Sequence, residues 1–281
     1  NIIPIPQIEI IHNGNFSITN STTLSIKNNN PNDRNLQTKI NIISELINKA
    51  IIKKYNFSLN ISRNKKIDNN FIEISLIDSS SFFNNKYPLI NDEGYYLSIT
   101  NNNISIHSIS TKGLFYGAMT LIQIIENSNN QLIPTCDIVD WPSFKIRGIS
   151  DDISRGQVSN IDNFKKTIQT LAKYKMNTYM LYIEDMIMFD SYPSIGQNRG
   201  ALSKQEISEI VKFANLYYID VIPIFQTLGH YENILAQPDF YKYAEFPGAA
   251  SLNISDDSIY IILDNMIREV ANAFPSEHIH I

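Results

Sequence analysis

Apolar and polar positions change rhythm about halfway along the chain. Up to residue 138 they alternate over short stretches separated by Asn-rich connections. Residues 8–11 and 16–26 have the two-residue period of strands. Leu36, Ile40, Ile43, Ile47 and the pair Ala50/Ile51 recur at steps of three and four, which predicts one apolar face of a helix. Residues 57–61 and 71–77 read as further strands. Residues 96–100 and 104–108 alternate on either side of Asn101-Asn102-Asn103, the pattern of a hairpin around a polar turn. Gly113 then precedes a helical stretch with Leu114, Leu121, Ile122 and Ile125 on one side. These elements predict a layered α/β domain over residues 1–138, with helices on one sheet.

From Trp141 the pattern becomes strand–helix–strand–helix. Residues 145–149, 177–183 and 219–225 read as strands, the second apolar enough to be buried on both faces. Ser159-x-x-Asp162 and Ser203-x-x-Glu206 resemble capping boxes. The helices they open carry Ile161, Phe164, Ile168 and Leu171, and then Ile207, Ile210, Val211 and Ala214. A third helix carries Ile259, Ile262, Leu263, Met266, Ile267 and Val270, and residues 278–281 begin a fourth strand. Right-handed crossovers between such strands predict a parallel sheet covered by helices over residues 139–281. Periodicity fits a doubly wound sheet and a (β/α)8 barrel equally.

Composition narrows the function classes. The 281 residues are 43% hydrophobic, enough for two cores, and the net charge of −5 with dispersed Lys and Arg argues against a nucleic-acid partner. A single cysteine, Cys136, allows neither an intrachain disulfide nor a cysteine zinc cluster. No apolar run approaches the ~20 residues of a membrane span. The start, Asn1-Ile2-Ile3-Pro4, reads as a mature or truncated beginning. A secreted, periplasmic or cell-surface setting is expected over a cytoplasmic one.

Sites in parallel α/β folds form beyond the carboxyl ends of strands. That rule selects Asp151, Asp152 and Arg155 after the first strand, with Arg147 inside it, then Glu184 and Asp185 after the second, and His230 and Glu232 after the third. Arginine, carboxylate and imidazole suit a hydroxyl-rich or polar ligand. Ten glycines form neither GxGxxG nor GxxxxGK[ST], so no nucleotide cofactor is expected. His278 and His280 alternate onto one side of a strand, but no third ligand accompanies them, so no metal is expected either.

The stretch from Arg147 to Arg155 resembles the R-G-x-x-x-D-x-S-R-H motif of glycoside hydrolase family 20, the β-N-acetylhexosaminidases. Residues 177–185 resemble the family's second-strand segment ending in Asp, and residues 225–230 its D-x-P-G-H segment. Ile279-His280-Ile281 resembles the lead-in to G-G-D-E. Asp92-Glu93-Gly94-Tyr95, Gly113-Leu114-Phe115-Tyr116-Gly117 and Thr120-Leu121-x-Gln123 resemble the small domain that precedes these barrels.

The resemblance implies a small α/β domain followed by the first four βα units of a TIM barrel. It also implies removal of terminal N-acetylhexosamine from a glycan or glycoconjugate by a substrate-assisted retaining mechanism. The catalytic Asp-Glu pair is expected just beyond Ile281, so the chain by itself is expected to be inactive. Arg147 is expected to clamp the sugar's 3- and 4-hydroxyls, Asp185 and His230 to form a supporting relay, and Glu184 to line the pocket. Asp152 and Arg155 are expected to be a scaffold pair at the barrel mouth.

Three departures stand out: Gly156 in place of the motif's His, Gln226 and Leu228 in place of Asp and Pro, and Met186-Ile187-Met188-Phe189 where a polar Asp-Gln is usual. Two other readings fit the same residues. One is a related hydrolase of O-GlcNAcase-like or α-glucuronidase-like type, and the other is a carbohydrate-binding pseudo-enzyme.

Overall fold

A computed structural model describes residues 2–27, 33–64, 67–77 and 91–281. Contacts divide the chain into two units: Asn1–Lys145 with Lys173–Lys175, and Ile146–Ala172 with Met176–Ile281.

The first unit is a seven-stranded sheet with two helices. The strands are β1 (Ile8–Ser17), β2 (Thr23–Lys27), β3 (Asn60–Arg63), β4 (Phe71–Leu76), β5 (Tyr95–Ile99), β6 (Asn103–Ser108) and β7 (Leu132–Asp140), in the spatial order β1-β7-β5-β6-β4-β2-β3. Helix α1 (Arg34–Tyr55) begins where the Asp33 side chain accepts from the Leu36 amide and ends at Asn56 in the left-handed region, φ 63°. Of the positions that the three- and four-residue steps select, Ile40, Ile43, Ile47, Ala50 and Ile51 are buried, together with Ser44, while Leu36 in the first turn is half-buried. Helix α2 (Thr111–Asn127) is capped by Ser110. The expected hairpin is β5–β6, in which Ile99 faces Ile104.

Four features depart from the sequence expectation. Residues 8–11 and 16–17 share one strand, β1, with an irregularity between Ile11 and Asn15. The expected strand 16–26 is cut at residues 18–22, where the Thr22 amide donates to the Thr19 carbonyl. The strand expected over 57–61 is shifted into β3. Strand β7 is absent from the sequence reading because Pro134 and the charged Asp137 and Asp140 obscure its alternation. Pro134 lies opposite Asn15, beside the irregularity, where the lack of an amide hydrogen is tolerated.

The family-like residues of this unit are packing devices. A Cβ on Gly113 would stand 2.2 Å from the Gly94 carbonyl oxygen, and one on Gly117 would stand 2.5 Å from Ile106. Only glycine lets α2 approach the sheet so closely. Tyr95 donates to Asp140 at 2.9 Å, and the 6%-exposed Lys175 reaches both at 2.8 Å. The buried cation therefore has its counter-ion.

The second unit contains β8 (Gly148–Asp152), α3 (Ile161–Lys173), β9 (Thr178–Tyr182), α4 (Lys204–Leu216), β10 (Asp220–Ile224), a short α5 (Glu232–Leu235) and α6 (Ser258–Ala273). The strands are parallel in the order β10-β9-β8, and a parallel bridge from Ile224 to His280 sets the next segment beside β10. Helix α4 has the full capping box: Ser203 accepts from the Glu206 amide, and the Glu206 carboxylate accepts from Ser203. Ser159 does not cap α3. The Asn163 amide bonds to the Asn160 side chain instead, and Ser159 accepts from the Asn163 side chain.

Candidate sugar-binding site at the carboxyl ends of the strands

Glu184 and Asp185, which follow Ile183 just past the end of β9, are 2% and 1% exposed. Adjacent buried carboxylates need counter-charges, and each has its own arginine. Arg155, following β8, approaches Glu184 at 2.8 Å. Arg199, from the loop before α4, approaches Asp185 at 2.7 Å and donates to the Ser154 carbonyl at 3.0 Å. The side chain of Arg155 remains 51% exposed, so a guanidinium edge faces the open rim.

Aromatic rings frame this arginine. Its guanidinium carbon lies 5.9 Å from the centroid of the Tyr182 ring. Burial, followed by the hydrogen bond and charge of Glu184, pushes the Tyr182 hydroxyl up to about 12, so it stays a donor to Glu184. His230 follows β10. Its Nδ1 stands 3.3 Å from Arg155 and 3.8 Å from Glu184, and its ring meets Tyr182 edge-on. A guanidinium only donates, so this contact requires Nδ1 to accept and leaves the neutral imidazole proton on Nε2. Glu184 and His230 both have positive φ, 38° and 58°. For non-glycine residues such backbone costs on the order of 1–3 kcal/mol and recurs at functional sites.

The chain ends of three adjacent strands thus bring together Arg155, Tyr182, Glu184 and His230, with Asp185, Arg199 and Asn233 close behind. Asn233 of α5 donates to Asp185 at 3.3 Å.

Arg147 lies elsewhere. It precedes β8, and its carbonyl accepts from the amides of Asn177 and Thr178 at the start of β9. In a parallel sheet that is the amino end. Five strand residues at ~3.3 Å each put roughly 16 Å between it and the rim, more than an arginine side chain spans. The expected convergence of Arg147 with Asp185 and His230 is therefore corrected. Of the relay expected from Asp185 and His230 to the catalytic Glu, the chain holds only these two residues: Asp185 is held by Arg199 and Asn233, and the carboxylate nearest His230 is that of Glu184. The expected Asp152–Arg155 pair forms at 3.5 Å, but the closer partner of Arg155 is Glu184. Asp151 accepts from the Tyr179 hydroxyl, and Glu232 is exposed on α5.

Arg155 is legible in the sequence as a rim residue, although its expected role there is that of a scaffold. Tyr182, Arg199 and Asn233 carried no signal of their own. The buried carboxylate pair was the available clue, since it demands cations nearby. Among the described residues, no group of three or more His, Cys, Asp or Glu side chains could hold a metal, and no helix is long and apolar enough to cross a membrane.

A parallel βα unit with arginine, paired carboxylates, tyrosine and histidine gathered at one rim has the chemistry suited to a polar, hydroxylated ligand. The comparisons give the family. Residues 1–141 match the model for glycosyl hydrolase family 20, domain 2, and residues 144–281 match that family's catalytic domain. The chain belongs to glycosyl hydrolase family 20. It is 27% identical to a beta-hexosaminidase of Porphyromonas gingivalis, matching over 100% of this chain and 38% of that protein. It is also 28% identical to a chitooligosaccharidolytic beta-N-acetylglucosaminidase of Bombyx mori, over 73% of this chain and 39% of that protein. The chain spans about two fifths of the length of these relatives. In fold it is similar to a Flavobacterium johnsoniae chitobiase, with TM-score 0.82 and 23% identity, covering 100% of this chain and 44% of that one. It is likewise similar to a Streptomyces plicatus N-acetyl-beta-hexosaminidase in complex with Thio-NAglucal, with TM-score 0.82 and 23% identity, covering 100% and 58%.

Proposed function

We propose that the full-length protein removes a terminal N-acetylhexosamine from a glycan, and that the β8–β10 rim grips that sugar. The observation that carries this is the half-exposed Arg155 fixed between buried Glu184 and His230. A guanidinium anchored on one edge offers the other as a rigid donor fork to vicinal hydroxyls. Arg155 takes the clamping role that the family resemblance suggested for Arg147. Glu184 sets the orientation of Arg155, and Asp185, locked by Arg199 and Asn233, holds α5 and the His230 loop in place.

The family resemblance supplies the rest of the reaction. A Glu protonates the leaving oxygen while the substrate's own acetamido oxygen attacks the anomeric carbon and displaces the leaving group. An Asp steadies the resulting oxazolinium until water opens it, a substrate-assisted exception to the two-carboxylate scheme. The roles of Arg155, Tyr182 and His230 in this chain are to hold the terminal ring still for that attack.

The test is the hydrolysis of p-nitrophenyl N-acetyl-β-glucosaminide by the full-length protein and two variants. Charge-assisted hydrogen bonds contribute about 1.5–3 kcal/mol each, so losing two in Arg155→Ala should lower kcat/KM by roughly 100-fold or more. Arg147→Ala should stay within about threefold, the scale of a surface substitution. The reverse order would reject the rim as the sugar site. Sugar binding without turnover in the wild type would favour a carbohydrate-binding role instead.

A further inference from the structure

The loop between β9 and α4 carries an arginine whose two partners both belong to the sugar rim. Residues 196–200 make a turn in which Gly196, Asn198 and Gly200 have φ of 72°, 60° and 84°. The Arg199 amide donates to the Gly196 carbonyl at 3.2 Å. The turn sits directly on the residues after β9: a Cβ on Gly196 would stand 2.5 Å from the Asp185 carbonyl oxygen, so only glycine fits there. The loop is closed at its base, where the Met188 amide donates to Leu202 and the Leu202 amide to Met186, both at 2.9 Å. That frame fixes where the Arg199 side chain starts.

Arg199 then spans the chain neighbours of the clamp pair. Its Nη2 donates at 3.0 Å to the carbonyl of Ser154, the residue before Arg155. Its Nε lies 2.7 Å from Oδ2 of Asp185, the residue after Glu184, without hydrogen-bond alignment, so charge holds that contact. Ser154 and Asp185 are both buried, and each is held from another side as well. The Ser154 amide and hydroxyl donate to Oδ1 of Asp152 at 2.9 Å and 2.6 Å, and Asp185 accepts from Asn233. One guanidinium thus ties the backbone behind Arg155 to the residue beside Glu184. The clamp needs such a tie. Arg155 is half exposed on a long flexible stem, and its bond to Glu184 fixes the two side chains to each other rather than to a ligand. A misplacement of ~1 Å can cost on the order of 100-fold in rate.

We propose that Arg199 is a positioning residue for the sugar clamp: by bracing Ser154 and Asp185 it sets the Arg155–Glu184 pair in register with the hydroxyls of the terminal sugar. This rests on the terminal-sugar reading above and adds the source of its selectivity. Arg199 acts through its neighbours, so discrimination between sugars that differ at one ring hydroxyl depends on a residue of the β9–α4 loop.

The test measures kcat/KM of the full-length protein on p-nitrophenyl N-acetyl-β-glucosaminide and on its 4-deoxy analogue, which lacks one hydroxyl of the vicinal pair. The ratio of the two values does not depend on how much of the protein is folded, because inactive molecules lower both alike. In the wild type the ratio should be roughly tenfold or more, the worth of one charge-assisted hydrogen bond. In Arg199→Ala it should fall below about threefold, since a clamp shifted by ~1 Å no longer keeps the hydroxyl at bonding distance. Arg199→Ala also strips a buried carboxylate of its counter-ion and can fail to fold. Combining it with Asp185→Asn leaves no unpaired charge, and the double variant should show the same collapsed ratio. A ratio as large as the wild type's in either variant would overturn the positioning role and leave the terminal-sugar reading intact. A wild type that hydrolyses neither substrate, or does not distinguish them, would overturn both.

Discussion

At the residue scale, two buried carboxylates organise the rim. Glu184 and Asp185 are adjacent in sequence, yet each recruits an arginine from a different loop, and the Arg155–Glu184 pair and the bond from Arg199 to the Ser154 carbonyl stitch the ends of β8 and β9 together. The same local physics makes Cys136 inert. Burial, then the charges of Glu9 and Asp137, push its thiol up to about 11. At pH 7.5 the reactive thiolate is scarcer than in an unfolded chain by a factor of roughly 100. Iodoacetamide should therefore modify native Cys136 at least a hundredfold more slowly than the urea-unfolded protein, and comparable rates would contradict its burial. Of the rim residues, Arg155, Glu184, Asp185 and His230 fall where strand ends were expected, as does Asp152, whereas Tyr182, Arg199 and Asn233 do not stand out in the sequence. Assigning their roles required the register. The first barrel strand was expected over 145–149 and lies at Gly148–Asp152. That three-residue shift moves Arg147 out of the strand to the wrong end of the sheet and makes Arg155 the arginine at the site. Hydrophobic period marks that a strand exists far better than where it stops.

At the scale of elements, helices with caps and apolar steps were the most readable, and strands carrying proline or charge the least. Helix α4 begins where its capping box begins, whereas β7 was hidden by Pro134 and its two aspartates. Contacts among α6, α4 and the loop after β9 were beyond sequence reasoning because they depend on tertiary placement. Glu269 of α6 accepts from the Asp190 amide at 2.7 Å, the Ser191 amide at 2.9 Å and Lys204 at 3.0 Å. Burial raises its pKa, but the bonds from Ser191, the two amides and Lys204 outweigh that and hold it at about 2. A carboxyl depressed in the folded state stabilises above its ordinary value of about 4.5, and that contribution drains away as pH falls towards 2. Urea midpoints should therefore drop more steeply between pH 4.5 and 2 in the wild type than in Glu269→Gln. The variant should be the less stable protein at pH 7, and parallel profiles would contradict the pinning role.

At the scale of the molecule, the chain pairs a seven-stranded α/β unit with a parallel βα unit, both matching glycosyl hydrolase family 20. The division of labour follows from their chemistry. The first unit uses its family-like glycines and Tyr95 for close packing and a buried ion-pair network. The second exposes its charged and aromatic residues at the strand ends. A rim built by short segments after three parallel strands explains how residues as distant in sequence as Arg155 and His230 come within 3.3 Å. The most direct measurement is a crystal structure of the full-length protein soaked with N-acetylglucosamine. The account predicts a sugar ring at the carboxyl ends of β8–β10, with its hydroxyls within hydrogen-bond distance of the Arg155 guanidinium. A sugar bound beside Arg147 at the amino ends, or a rim left empty while the sugar occupies another site, would contradict it.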